Sequence, residues 1–347
     1  MIKEFQNGFT GIGLQVCKAT VGLLSNDRTL ITSPEYFGGV PHPAVLEGKG
    51  WNIGCQEANF KVEKVEYKPP PSMDGYFYIF NHRGATPYLH ISEDAVIAIG
   101  DWSKLESEAF DRRYSLFGNQ GVLFRYFLTV LERRGIYNFH ACGLIDKDTQ
   151  KVYLVLGERG SGKSAVLLAA LDSGRYLSFG TEIIHTGFED DKLVFYRGCM
   201  RNNVRVGHML YDFPELTKKI GVKFAEFKDP WGTKVQLDFS PFSIPQEKII
   251  DPELIIVIPR IEEELSKPQI TYVDKFVKVK RQLLENISDK IVSLALIYER
   301  LPVGSLDNPR LLWSRMRFVD RLIEKGRIVR VVNLFASPHN CLEGLKV

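Results

Sequence analysis

The sequence predicts an α/β fold, in which a β-rich N-terminal region precedes a unit of alternating strands and helices. Three observations carry this. As far as about residue 105, short runs rich in β-branched and aromatic residues are punctuated by Gly, Pro and Asn. Helical spacing is first sustained at Val122, Phe124, Phe127, Leu128 and Leu131. An apolar run, a glycine-rich loop and an apolar helical stretch then follow one another between Val152 and Leu171. A chain of 347 residues exceeds the commonest single-domain size, so the expected division is 1–105 and 106–347.

In the first region strands are expected over residues 13–24, 60–67, 75–80 and 94–99. Residues 38–43 and 69–71 are expected as loops, because proline cannot donate to a strand ladder. The helix over Val122 to Leu131 ends in Glu132, Arg133 and Arg134, with Gly135 as its stop. Strands follow over 139–145 and 152–156, the second running straight into the glycine-rich loop. The helix after Lys163 reaches Leu171 and closes at Gly174. Further strands are expected over 193–196, 235–239, 254–258 and 327–335, and helices over 214–220, 283–298 and 311–325. Asp190 and Asp191 read as a hairpin turn.

Apolar residues at 44% and charged residues at 25% place the chain among globular proteins and exclude extended disorder. The 45 basic against 42 acidic groups leave +3, far from the basic field that nonspecific nucleic-acid binding needs, so no nucleic-acid partner is expected. Cys17, Cys55, Cys142, Cys199 and Cys341 are scattered and form no C-x-x-C pair. Neither a disulfide framework nor a thiolate zinc site is indicated, and a reducing cytoplasm fits. Residues 1–8 have no apolar core for a signal peptide, and no apolar run reaches the roughly 18 residues of a membrane span. A cytoplasmic protein without a membrane partner is expected.

The loop Gly157-Glu158-Arg159-Gly160-Ser161-Gly162-Lys163-Ser164 meets the pattern G-x-x-x-x-G-K-[S/T] in full, with a strand before it and a helix after. Its glycines permit the torsions and close approach that let successive N–H groups, through Ala165, wrap phosphates at the positive end of the helix. Lys163 neutralises the β- and γ-phosphates, and the Ser164 hydroxyl holds Mg²⁺. ATP and Mg²⁺ are the expected cofactors.

Three stretches around this loop resemble the HPr kinase/phosphorylase group. Phe139-His140-Ala141 stands where that family has Arg-His-Gly, and Gly157-Glu158 is like its Gly-Glu-Ser-Gly opening. Tyr196-Arg197-Gly198-Cys199-Met200-Arg201-Asn202-Asn203-Val204-Arg205 keeps the Arg-Gly and Asn-Val-Arg of the signature Ile-Arg-Gly-Leu-Gly-Ile-Ile-Asn-Val-Arg at unchanged spacing. The resemblance covers about residues 138–206. It implies a nucleotide domain related in fold to phosphoenolpyruvate carboxykinase, with a mixed β-sheet, a His140 near the transferred phosphate, and a homo-oligomer. Where the family has an Asp-Asp pair this chain reads Phe179-Gly180-Thr181-Glu182, and Phe195 replaces the family's glutamate before the signature arginine. Glu182 is the carboxylate that remains, as metal ligand or as base, with Asp238 as a fallback ligand.

Arg197, Arg201 and Arg205 recur every four residues with no acid between them, a pattern suited to bidentate phosphate contacts. Arg197 and Arg201 are assigned to substrate or phosphate, and His140, Lys163, Glu182 and Arg205 to catalysis. His185 reads as structural. The expected activity is a Mg²⁺-dependent kinase passing the γ-phosphate of ATP to a hydroxyl of a protein, a peptide or a small metabolite. A nucleotide-binding regulatory or scaffold protein with a degenerate site is the alternative, and an NTPase acting on nucleic acid a third.

Overall fold

The computed structural model describes residues 9–31, 41–48, 51–56, 59–65, 73–118, 120–224, 227–263, 265–273 and 276–345. Residues 1–8, the first three positions of the loop expected over 38–43, and the prolines at 69–71 lie outside the described residues. The fold is α/β with mixed sheets and divides into two compact units, 1–134 with 291–307 and 135–290 with 308–347. No helix among the described residues is long and apolar enough to cross a membrane.

The first unit contains β1 (Phe9–Val16), β2 (Ala19–Ser25), β3 (Pro41–Gly48), β4 (Trp51–Gln56), β5 (Asn59–Val65), β6 (Gly75–Asn81), β7 (Tyr88–Ile91) and β8 (Ala95–Gly100), then α1 (Trp102–Glu108) and α2 (Val122–Arg133). Its larger sheet has the order β3-β1-β2-β6-β8-β7, with β2, β6 and β8 parallel to one another. Two expectations are corrected here. The run over 13–24 is a hairpin, because Cys17 adopts φ 53° and turns the chain between β1 and β2. Pro41 and Pro43, expected in a loop, begin β3. That strand is at the sheet's edge, where a missing N–H need not enter a second ladder.

The division at 134 rather than at the composition change near 105 has a packing cause. Helix α2 is buried along its length, and Tyr126 lies 6.4 Å, ring to ring, from Phe77 of β6. Buried Arg125 donates through Nη2 to the carbonyls of Ile291 (3.2 Å) and Ser293, which ties residues 291–307 to the same core.

The second unit runs through β9 (Ile136–Asp146), β10 (Val152–Leu156), α3 (Lys163–Asp172), β11 (Tyr176–Gly180), β12 (Ile183–Glu189), β13 (Lys192–Tyr196), β14 (Arg201–Arg205), α4 (Pro214–Ile220), β15 (Lys234–Asp238), β16 (Lys248–Ile250), β17 (Leu254–Ile261), β18 (Gln269–Tyr272) and α5 (Phe276–Val292). The chain then makes β19 (Ala295–Ile297) and β20 (Leu301–Val303), and returns in α6 (Pro309–Lys325) and β21 (Ile328–Ala336). The helix expected over 283–298 therefore starts earlier and stops at Val292, since Ala295–Ile297 pairs with Leu301–Val303 instead.

The central sheet has the order β16-β13-β12-β9-β10-β17-β21-β18, and β11 also pairs with β9. It is mixed: β10, β17 and β21 are parallel, and the remaining pairs are antiparallel. Every residue of β10 is buried, as a strand covered on both faces requires. Cys142, Leu144, Tyr153, Val155, Ile255 and Val257 join α3 and α4 in one core. The alternate residues Phe139, Ala141, Leu154, Leu156 and Ile256 join α5 and α6 in the other. Asn308 caps α6 by accepting from the Leu311 N–H at 2.9 Å, with Pro309 as first helical residue.

β9 is eleven residues long, and its free edge is shared. β11 pairs with residues 143–146 and β12 with residues 136–140, so the chain between them, Gly180 to Glu182, turns beside Ala141 and Cys142. The buried Phe179 ring lies against Gly143, where any side chain would overlap it. Gly143→Ala is expected to lower stability by about 1–3 kcal/mol through overpacking, read from urea unfolding midpoints at constant m.

Candidate functional site

The phosphate-loop sequence is built as its pattern requires: β10, then the loop, then α3. Gly157 has φ 151° and Gly162 φ 96°, and Gly162 is the left-handed residue that caps α3. A side chain at Gly162 would overlap Ile261, the last residue of β17, whose N–H donates to the Ser161 carbonyl at 3.2 Å. One at Gly157 would overlap the Ser161 hydroxyl. That hydroxyl is buried and has no hydrogen-bond partner among the described residues. A narrow glycine cradle with an unsatisfied donor fits an oxygen-rich anion such as a triphosphate. Lys163 Nζ donates to the carbonyls of Gly157 (2.6 Å) and Glu158 (3.0 Å). Glu158, Arg159 and Gly160 are exposed, Ser164 is half-buried, and Ala165 is buried in the first turn of α3.

The corner Gly180 to Glu182 is held by the 198–202 segment. Gly198 N–H donates to the Phe179 carbonyl at 2.7 Å, and Thr181 N–H to that of Cys199 at 3.1 Å. The Thr181 hydroxyl reaches the Arg201 carbonyl at 2.9 Å, and Asn202 Nδ2 donates to the Thr181 carbonyl at 2.9 Å. The Cys142 thiol donates to that same carbonyl at 3.0 Å, and burial pushes its pKa up to about 12, so it is a protonated donor and no nucleophile. Glu182, next in the chain, has a carboxylate oxygen 3.9 Å from the ammonium of the nearly buried Lys290 on α5.

His140 lies one residue before Ala141, which pairs with Leu156 at the end of β10. Because β10 stops there, β9 has an open edge at His140, and α5 covers it: Asn286 Nδ2 donates to the His140 carbonyl at 3.0 Å. One turn further along α5, Asp289 Oδ2 is 2.8 Å from His140 Nδ1. Burial lowers the His140 pKa, and the Asp289 hydrogen bond opposes the shift. That bond, against burial, holds the Asp289 carboxyl below its ordinary range. Burial also lowers the Lys163 pKa, with Lys290 adding to the effect and Asp289 and Glu182 opposing it. His140, Lys163, Glu182, Asp289 and Lys290 are therefore one electrostatic group.

The arginines are dispersed by comparison. Arg197 is exposed at the end of β13, and its backbone N–H donates to the Glu247 carbonyl. Arg201 is opposite Asp238 in the β14/β15 ladder, and its charge helps lower the Asp238 pKa, chiefly set by Ser240. Arg205 is exposed and donates to the Trp231 carbonyl. Asp238 is exposed and accepts from Ser240 N–H (2.8 Å) and Oγ (2.6 Å). His185 is fully buried against Asn138 (2.7 Å), and burial takes its pKa down to about 4. Asp190 and Asp191, at φ 47° and 64°, form the β12/β13 turn.

Sequence reasoning missed Asn286, Asp289 and Lys290. The available signal was a polar line, Gln282, Asn286 and Lys290, at four-residue spacing beside the buried line Val279, Leu283, Ile287 and Ile291. Among the described residues no group of three or more His, Cys, Asp or Glu could hold a metal by itself. Ser164 and one carboxylate nevertheless suit Mg²⁺, which is bound through one or two carboxylates together with substrate phosphates.

No protein-family model matches the chain, and no curated protein does. Among solved structures, the Hpr(Ser) kinase/phosphatase from Coxiella burnetii is similar over 55% of this chain and 97% of its own, at 13% identity and a TM-score of 0.22.

Gly160 has φ 89° like its neighbours, but a side chain there meets open space. Gly160→Ala is expected to cost only the left-handed backbone strain, about 1–2 kcal/mol, while Gly162→Ala adds overlap with Ile261 and costs about 1–3 kcal/mol more. Equal unfolding midpoints for the two variants would contradict this geometry.

Proposed function

We propose that this chain is a Mg²⁺-dependent kinase that binds ATP on the loop Gly157 to Ala165 and passes its γ-phosphate to a hydroxyl acceptor. The observation that carries the reading is the grouping of Lys163 with Glu182 and His140, on three separate stretches of chain, beside a glycine cradle whose Ser161 hydroxyl has no partner among the described residues. A strand-to-helix turn with no ligand has no need of buried like charges such as Lys163 and Lys290 in mutual range.

The backbone N–H groups of residues 157–165 bind the phosphates, and Lys163 leaves the loop carbonyls to neutralise the β- and γ-phosphate oxygens. Ser164 and Glu182 would hold the Mg²⁺, which supplies positive charge to the phosphoryl oxygens. The Lys290 ammonium stands 3.9 Å from the Glu182 carboxylate beside the site. Arg201, whose backbone carbonyl accepts from Thr181 at the Glu182 corner, is assigned to a substrate phosphate. Exposed Arg197 and Arg205 are assigned to an acceptor that carries negative charge. The acceptor is a protein or peptide hydroxyl or one on a small metabolite.

Phosphoryl transfer depends on positioning and charge, so the site should fail in graded fashion. Lys163→Ala is expected to abolish transfer and to weaken MgATP binding at least about tenfold, ~1.4 kcal/mol, by calorimetry. Unchanged turnover would sink the assignment. Glu182→Gln is expected to keep ATP affinity without Mg²⁺ but to lose the gain that Mg²⁺ confers. Tight MgATP binding by the unaltered chain with no product from any acceptor or from water would instead favour a regulatory nucleotide-binding protein. The replacement of the acidic pair by Phe179-Gly180-Thr181-Glu182 is what favours that second reading.

A further inference from the structure

We infer that His140 is the proton acceptor for the attacking hydroxyl and that Asp289, on α5, is the residue that positions and charges it. The inference rests on the kinase reading and names its base. With the aspartate pair absent from the corner, and Glu182 facing Lys290, the site needs another group to take the hydroxyl proton.

The assignment of the ring nitrogens follows from hydrogen-bond chemistry. Asp289 is half exposed, and an ionised carboxylate only accepts, so the 2.8 Å contact requires Nδ1 of His140 to be the donor. The lone pair of the neutral ring is then on Nε2. Asn286 fixes the His140 backbone from the same helix face at 3.0 Å, so α5 sets both the place of the residue and its tautomer. The charged groups acting on the ring are Asp289 and Lys290 on α5 and Lys163 on α3, while Glu182 at the corner faces Lys290. The two lysines oppose protonation of the ring, and Asp289 favours it. His140 adjoins the residue that pairs with Leu156, the last before the phosphate loop.

In the step, Nε2 takes the proton of the acceptor hydroxyl as its oxygen bonds to the γ-phosphorus. The bond from that phosphorus to the β–γ bridging oxygen breaks, and its electron pair leaves with the nucleoside diphosphate. Asp289 stabilises the imidazolium formed and remains ionised. With water as acceptor the products are inorganic phosphate and the diphosphate.

The test uses the full chain, MgATP and water as acceptor, reading phosphate release between pH 5 and 9 alongside MgATP affinity. The His140 titration is followed by NMR of labelled histidine, assigned with His140→Gln. Asp289→Asn should bind MgATP as the unaltered chain does while releasing phosphate about 10²–10⁴-fold more slowly. Activity should fall as pH drops through the His140 pKa. In Asp289→Asn both that limb and the NMR titration should move to lower pH, because the anion that favours the imidazolium is gone. Asp289→Glu should recover most of the rate and restore the limb, which also controls for misfolding. The inference is overturned by an unchanged rate and limb in Asp289→Asn, by loss of MgATP binding in that variant, or by phosphate release no faster in the unaltered chain than in Lys163→Ala. Failure of the unaltered chain to bind MgATP at all would overturn the kinase reading itself, and this assignment with it.

Discussion

The pairing of one long strand organises the second unit. β9 is longer than either neighbour on its β11/β12 edge, so two strands share that edge and the chain between them must turn in mid-sheet. On the opposite edge β10 ends at Leu156 and leaves the first half of β9 unpaired beyond Ala141. Both interruptions fall at the same level, beside the start of the phosphate loop. Unpaired backbone at the centre of a protein has to be satisfied, and how it is satisfied decides which side chains gather there. The corner is bound by the 198–202 segment, and the open edge by Asn286 of α5.

Those two repairs explain why charges accumulate in a place that is largely buried. Burial disfavours an isolated ammonium or imidazolium, so Lys163, Lys290 and His140 persist only with Glu182 and Asp289 in range. A site in which every charge is balanced by another on a different element responds as a unit to ligand charge. Three polar atoms on α5, Gln282 Oε1, Asn286 Oδ1 and Ser288 Oγ, are buried without a partner among the described residues. Gln282 and Asn286 share one helix face, and Ser288 is on another.

The segment from Tyr196 to Arg205 has a different use from the one its arginines suggest. Its backbone and Asn202 clamp the corner that carries Glu182, while the guanidinium of Arg205 goes to the Trp231 carbonyl and Arg197 is exposed. A fixed spacing of Arg-Gly and Asn-Val-Arg is therefore explained in part by backbone geometry: a side chain at Gly198 would crowd the Ile183 carbonyl. Arg201 and Arg205, four apart on β14, lie on one face of that strand, whereas Arg197 stands apart at the end of β13.

By itself the sequence determined the features that depend on neighbours along the chain. The strand, glycine loop and helix from Val152 to Leu171, the Asp190-Asp191 turn and the helix over 214–220 are local, because torsion preferences and apolar period act over a few residues. Tertiary structure alone decided what stands beside the loop. Asp289 is 149 residues from His140, and nothing in its helix distinguishes it from a solvated carboxylate until the open edge of β9 is known. The break between the units after α2 and the edge position of Pro41 were likewise settled by burial and pairing between distant segments, which no local preference encodes.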